Sequence, residues 1–213
     1  AYDDVRTMFT LTESQRVHAL AFSSTTGGDD STAFLIIDIN AIVDVATNNN
    51  PIRYALELVE DADTIPPILQ TASINYGTGV VIVTADETID VTPTTKVDQS
   101  GIIVDNLVTP IGTASGLERY IRLTGAKLSE GNPDGLTVTI QMNEKQRVHA
   151  IALSNTPGGD GISTALDVDS QAVRDIAGNF VLDDNDKFVK NKIIVVCNSA
   201  SRASIEAETF KKT

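Results

Sequence analysis

The sequence predicts an all-β protein of two related β-sandwich units, each carrying one short helix. Three observations lead to this prediction. A stretch of 17 residues beginning at Glu13 recurs at Glu144, with 12 identical positions. Short apolar runs recur at regular spacing between Gly, Asn, Pro and Asp turn residues, which is the pattern of a β-sandwich. The chain has 213 residues, which is long enough for two domains.

The repeat has a constant offset of 131 residues, the difference between 13 and 144. It begins with Glu-x-Gln-Arg-Val-His-Ala and ends with Gly-Gly-Asp at 27–29 and at 158–160. The match continues without a gap through Asp38 and Asp169, Ala41 and Ala172, Asp44 and Asp175, Ala46 and Ala177, and Asn48 and Asn179. A repeat of this length indicates one type of domain used twice.

The first elements follow from local pattern. Alternating apolar residues predict a strand over 3–11. Thr12 with Gln15, and Asn143 with Gln146, form capping boxes, which predict helices from about 13 to 22 and from about 144 to 153. A strand remains an alternative for these segments, because short apolar runs do not distinguish the two structures.

Glycine-rich loops at 25–29 and 156–160 then lead to predicted strands over 33–39 and 164–168. A tight turn is expected at 175–179, and its counterpart lies at 44–48. Thr47 stands where the second copy has Gly178, so the first turn is expected to differ.

The unit boundaries come from an acidic, proline-marked junction at 57–67. Residues 63–187 form a complete unit, with strands predicted at about 68–75, 79–85, 101–108, 118–124 and 136–142. Residues 1–62 are the second half of a unit, and 188–213 are the first two strands of a further unit. Either the chain is cut from a longer array, or 188–213 completes 1–62, within one chain or between chains.

Composition narrows the classes of partner. The chain has 29 acidic and 16 basic residues and a formal net charge of −13, which disfavours nucleic acid and anionic membranes. No apolar run approaches the roughly 18 residues of a membrane span. The single cysteine excludes an internal disulfide, and Cys197 lies in an apolar run that predicts a core position.

The Asp175-Ile-Ala-Gly-Asn179 turn and the proline-marked opening Pro66-Pro-Ile, followed by Val-Ile-Val-Thr-Ala-Asp-Glu, resemble motifs of Ig-like repeat domains. Such domains occur in bacterial surface-layer and adhesin proteins. The Gln-Arg-Val-x-Ala element with Gly-Gly-Asp is more similar to versions in large repeat proteins of diatoms and related algae. The resemblance covers 63–187 fully and 1–62 partly. It implies an Ig-like fold and an extracellular or cell-surface setting. A weaker resemblance, in the paired β layout alone, is to the pyrenoid shell proteins of diatoms, which implies a plastid instead.

Few residues indicate chemistry. His18 and His149 are equivalent positions of the repeat, and without a third histidine or a cysteine pair they lack the ligands of a zinc site. We interpret both as structural, hydrogen-bonded histidines beneath a loop. The chain has no nucleophile signature, no phosphate-binding glycine loop and no cofactor motif, so an enzyme is not expected.

Acidic clusters are the candidate metal site, and calcium is the candidate ion, because calcium takes six to eight oxygen ligands in irregular loops. The alternative is that these side chains cap backbone groups of turns. The candidate ligands are Asp160, Asp167, Asp169, Asp175, Asn179, Asp183, Asp184 and Asp186.

The sequence thus predicts a non-catalytic structural protein that self-associates into a filament or sheet. A calcium-dependent adhesive or ligand-binding extracellular module is the alternative.

Overall fold

The computed structural model describes residues 6–106, 120–129, 133–182 and 193–197. The chain divides into two compact units, Ala1–Thr64 and Ile65–Thr213. The described residues are mostly in antiparallel strands with few short helices, so the all-β prediction is confirmed at that level.

The first unit contains helix α1 (Glu13–Leu20) and strands β1 (Phe34–Ile37) and β2 (Arg53–Glu57). The Thr12 and Gln15 side chains form the predicted capping box, which confirms the helix over the strand alternative. β1 and β2 pair antiparallel, with Leu35 opposite Leu56. β2 was not predicted.

The predicted strand over 3–11 is wrong for its described part, because residues 6–11 form no strand and Phe9 is 72% exposed. The counterpart segment of the second unit is a strand, Gly135–Gln141, because neighbouring strands bond both of its edges. Among the described residues, 6–11 have no such neighbours. Alternation alone does not form a strand when no other strand supplies hydrogen bonds.

The second unit contains most of the strands and one helix, α2, which begins at Glu144 and ends at Ala152 with the predicted capping box of Asn143 and Gln146. Short 3₁₀ turns occupy Thr94–Lys96 and Gln99–Gly101. The strands are β3 (Leu69–Asn75), β4 (Val80–Ile89), β5 (Ile102–Asn106), β6 (Tyr120–Arg122), β7 (Lys127–Leu128), β8 (Gly135–Gln141), β9 (Thr164–Val168) and β10 (Ile193–Cys197).

The eight strands are ordered β6-β5-β9-β10-β3-β4-β8-β7. Neighbours run antiparallel except β10 and β3, which are parallel. β10 joins the strands β6, β5 and β9 to the strands β3, β4, β8 and β7. Its residues Ile193 and Ile194 pair with β9, and its last three residues pair with β3.

The position of β10 differs from the expectation that 188–213 opens a further unit. Residues 193–197 instead complete the sheet of the second unit, because β9 and β3 each offer an edge to this β-branched apolar run. Val195 is buried in the core. The expected core position of the Cys197 side chain, and the predicted strand after it, lie outside what the structure describes.

A single apolar core occupies the second unit. Alternate residues of β3, β4 and β8 join residues of β5 and β9 in this cluster, because every second side chain of a strand points to the same face. The members on these strands include Ala72 and Ile74 of β3, Val81 and Val83 of β4, Ile102 and Val104 of β5, Val138 and Ile140 of β8, and Leu166 and Val168 of β9.

Candidate functional site

The repeated Gln-Arg pair anchors the helix of each unit. Gln146 is buried, and its Oε1 accepts a hydrogen bond from the Asn143 backbone N at 3.0 Å. Its Nε2 donates to the backbone oxygens of Arg122 (3.1 Å) and Thr124 (3.0 Å). One side chain therefore caps α2 and ties its first turn to the end of β6.

Arg147 extends the anchor to β3. Its Nε and Nη2 donate to the two carboxylate oxygens of Glu144 at 2.7 and 2.6 Å, and its Nη1 donates to the Tyr76 backbone oxygen at 2.7 Å. The hydrogen bonds between Arg147 and Glu144 raise the pKa of the guanidinium and lower the pKa of the carboxyl. Such a fork is specific to arginine.

Arg16 repeats this arrangement in the first unit. It makes the same fork to Glu13, at 2.8 and 2.9 Å, and its Nη1 donates to Asp63 at 2.5 Å. Each arginine thus ties its helix to a group outside it, Asp63 for Arg16 and the Tyr76 backbone for Arg147. The Gln-Arg motif is thus part of the scaffold.

The Gly-Gly-Asp loops are also structural. A Cβ on Gly159 would lie 1.9 Å from the Ser154 backbone oxygen, and a Cβ on Gly28 would lie 2.1 Å from that of Ser23. The preceding glycines have φ of 93° and 94°. The loop passes so close to the end of its helix that both glycines are required, which explains the repeat without a ligand.

The repeated Asp-x-Ala-x-Asn turns have the same hydrogen bonds. The Asp175 carboxylate accepts from the Asn179 backbone N at 2.7 Å and from its Nδ2 at 2.9 Å, and Asp44 and Asn48 repeat both distances. In the first unit, the hydrogen bond from the Asn48 side chain is the main cause of the lowered pKa of Asp44. The prediction that the first turn differs is wrong, because Thr47 adopts a positive φ like Gly178.

The candidate calcium ligands fall at different places. Asp160 accepts from Asn106 Nδ2 at 2.8 Å, at the end of β5. Asp169 donates its backbone N–H to Gly101, at the other end of β5, and its side chain lies 3.3 Å from Arg122. These two carboxylates therefore cannot ligate one ion.

Of the other candidate ligands, Asp167 is buried on β9, while Asp175 and Asn179 meet in the turn. Asp183, Asp184 and Asp186 lie outside the described residues. Calcium binding by residues of this set remains a prediction.

The histidines differ between the units: His18 is exposed, while His149 is half-buried in the wall of a cavity. This cavity, of about 360 Å³, lies between β6 and the first turns of α2. Its lining includes two cations, Arg122 and Lys145. Sequence reasoning missed Arg122 and Lys145. One sequence feature could have indicated this site: Lys145 stands at the repeat position that Ser14 occupies in the first copy.

The most unusual surface is the open sheet, β1 and β2 of the first unit. All nine residues of its two strands are exposed except Ile37, which is half-buried. Leu35 is 41% exposed, whereas its repeat counterpart on β9, Leu166, is 0% exposed. Within residues 6–64, the sole buried residue is Ser23. The first unit therefore exposes the apolar positions that the second unit buries.

Neither helix in the described part of the chain is long and apolar enough to cross a membrane. No protein-family model, curated protein or solved structure matches this chain.

Proposed function

We propose that this protein is a non-catalytic structural repeat protein whose copies associate through the open sheet into a filament or sheet. Its units are Ig-like β-sandwiches, of which the first is completed by a second copy. The setting is a cell-surface or shell-like assembly. The supporting observation is the contrast between β1 and β9, which share a sequence pattern but not a burial pattern.

The second unit indicates what β1 lacks. There, β5 pairs with β9 from Ile102 opposite Val168 to Asn106 opposite Thr164, and β10 takes part of the other edge. In the first unit, β2 takes one edge of β1, and no described strand pairs with the other. An unpaired edge beside apolar side chains favours the addition of a strand from another chain.

The energetic argument is that burial of one leucine side chain contributes about 1.5–3 kcal/mol. Leu35, Leu56 and Phe34 are all exposed on the open sheet, so a contact that covers it gains several such contributions. The described tail strand, β10, is already used by the second unit, so we assign the completing segment to a second copy. A contact between unlike surfaces propagates unless it closes into a ring.

The test is the mass of the intact protein in solution, measured by sedimentation over a range of concentrations. We expect particles larger than a monomer, and we expect Leu35→Glu to return them to monomers because a charge cannot be buried there without a partner. Leu136→Glu is the matched control: Leu136 is a strand leucine of similar exposure, 43%, in the second unit.

A monomer at every concentration, or equal assembly of the two variants, would contradict the proposal. Circular dichroism of each variant establishes that the substitution has not unfolded the chain.

A further inference from the structure

The cavity between β6 and α2 has a fixed shape. Gln146 holds its two walls together through hydrogen bonds to the backbone of Arg122 and Thr124 on one side and Asn143 on the other. The Arg122 side chain is itself held, since its Nη1 donates to the Ser100 backbone oxygen at 2.8 Å. A preformed cavity loses little conformational entropy when a ligand binds.

The lining of the cavity is cationic in a protein with a net charge of −13. Two cations, Arg122 and Lys145, line it beside His149, and the lining residues that the structure describes include no acidic residue. The cavity also adjoins the first turn of α2, where the helix dipole favours negative charge. A concave cationic site on an acidic surface concentrates anions.

Both cations keep hydrogen-bonding capacity. Arg122 uses Nη1 for both of its contacts, to Ser100 and to Asp169, so its Nε and Nη2 make no bond within the described ranges. Among the described residues, no ion pair of Lys145 is found. Both side chains are exposed and can reach a ligand from solvent.

The repeat shows that Lys145 is not needed for folding of the helix. Ser14 occupies its position in α1, which has the same capping box and the same arginine fork. The cation is therefore an addition specific to the second unit rather than part of the shared scaffold.

We propose that this cavity binds an acidic sugar unit, with its carboxylate or sulfate group held by Arg122 and Lys145 and its ring against Tyr120. The volume of about 360 Å³ is far larger than an inorganic ion needs and falls in the range of small-molecule sites. Tyr120 and Thr124 also line the cavity, so an aromatic ring for the apolar side of the sugar and a hydroxyl belong to its lining residues.

The experiment titrates the isotopically labelled full chain and follows the backbone amides of Thr124, Lys145 and Gln146 by NMR. The probes are glucuronate, N-acetylglucosamine 6-sulfate, glucose and acetate. We expect saturable shifts with at least one acidic sugar, and the sugar that binds identifies the charged group. Neither glucose nor acetate should bind as tightly.

Lys145→Ser introduces the residue of the first copy, so the helix should be retained. It should weaken binding of the acidic sugar by about two- to fivefold, the range for a solvent-exposed ion pair. Lys127→Ser, at an exposed lysine outside the cavity, should leave binding unchanged.

Several results would overturn the proposal. They are the absence of shifts with both acidic sugars, equal binding of glucose, equal binding of acetate, and an unchanged affinity in the Lys145→Ser variant. This inference does not depend on self-association, because the cavity lies wholly within the second unit.

Discussion

Thr47 and Gly178 occupy the same position of the repeated turn, and both have positive φ, 67° and 91°. Glycine adopts this conformation readily, whereas a β-branched residue is strained there. The turn is retained in the first unit because Asp44 and Asn48 supply the same hydrogen bonds as Asp175 and Asn179. Side-chain bonds thus impose a backbone conformation that the residue itself disfavours.

Exchange of these residues tests that strain. Gly178→Ala should reduce the free energy of unfolding by about 1 kcal/mol, because a Cβ there meets no atom within 4 Å and the cost is that of the backbone alone. Thr47→Gly should act in the opposite direction on the first unit. Urea denaturation measures both effects.

Gly135→Ala is the control for this experiment, since Gly135 lacks positive φ and a Cβ there has space. A stabilising Gly178→Ala, or a destabilising Thr47→Gly, would show that the turn carries no strain.

Helices α1 and α2 show which sequence signals were sufficient to predict an element of the fold. Each helix is defined by its own residues: a capping box, an acidic first turn and an arginine three residues on. Such local signals predicted both helices, both glycine loops and both turns. In each case the determining contacts lie within a few residues along the chain.

Arg147→Ala should lower the melting temperature more than Lys127→Ala, an exposed control, because it removes bonds to both Glu144 and the Tyr76 backbone. Arg147→Lys should fall between, since lysine keeps the charge but loses the fork. Calorimetry measures all three variants. Equal melting temperatures would show that the arginine is not an anchor.

The same variant has a pH signature. The lowered pKa of Glu144 means that its ion pair stabilises the protein above the ordinary glutamate pKa and is lost as the pH falls through the lowered value. The difference in melting temperature between Arg147→Ala and the parent should therefore be largest near neutral pH and should shrink in acid.

Elements that depend on distant partners were predicted less well. Residues 6–11 partly share the alternation of β8, but among the described residues they have no neighbouring strands like the two that pair with β8. β10 was identified as a strand, but its place between β9 and β3 depends on edges contributed by segments far away in the chain. The cationic cavity was not predicted for the same reason. Arg122 and Lys145 line it together because β6 and α2, which are separate in the sequence, lie side by side in the fold.

The two units of the molecule differ in how far their apolar side chains are buried. The second unit buries Leu166 and Val168 beneath a full set of strands, while the first unit presents Leu35 and Leu56 on a two-stranded sheet. Apolar side chains exposed together in this way are typical of an interaction surface. We therefore propose that a second copy covers the open sheet.

The most direct measurement of this claim is amide hydrogen exchange at Phe34–Ile37 as a function of protein concentration. We expect the amides of this strand that face away from β2 to become protected as the concentration rises, because a strand of another copy pairs with that edge of β1. Amides of β9, already paired on both edges, serve as the internal reference and should not change. Exchange at Phe34–Ile37 that is fast and independent of concentration would contradict the account.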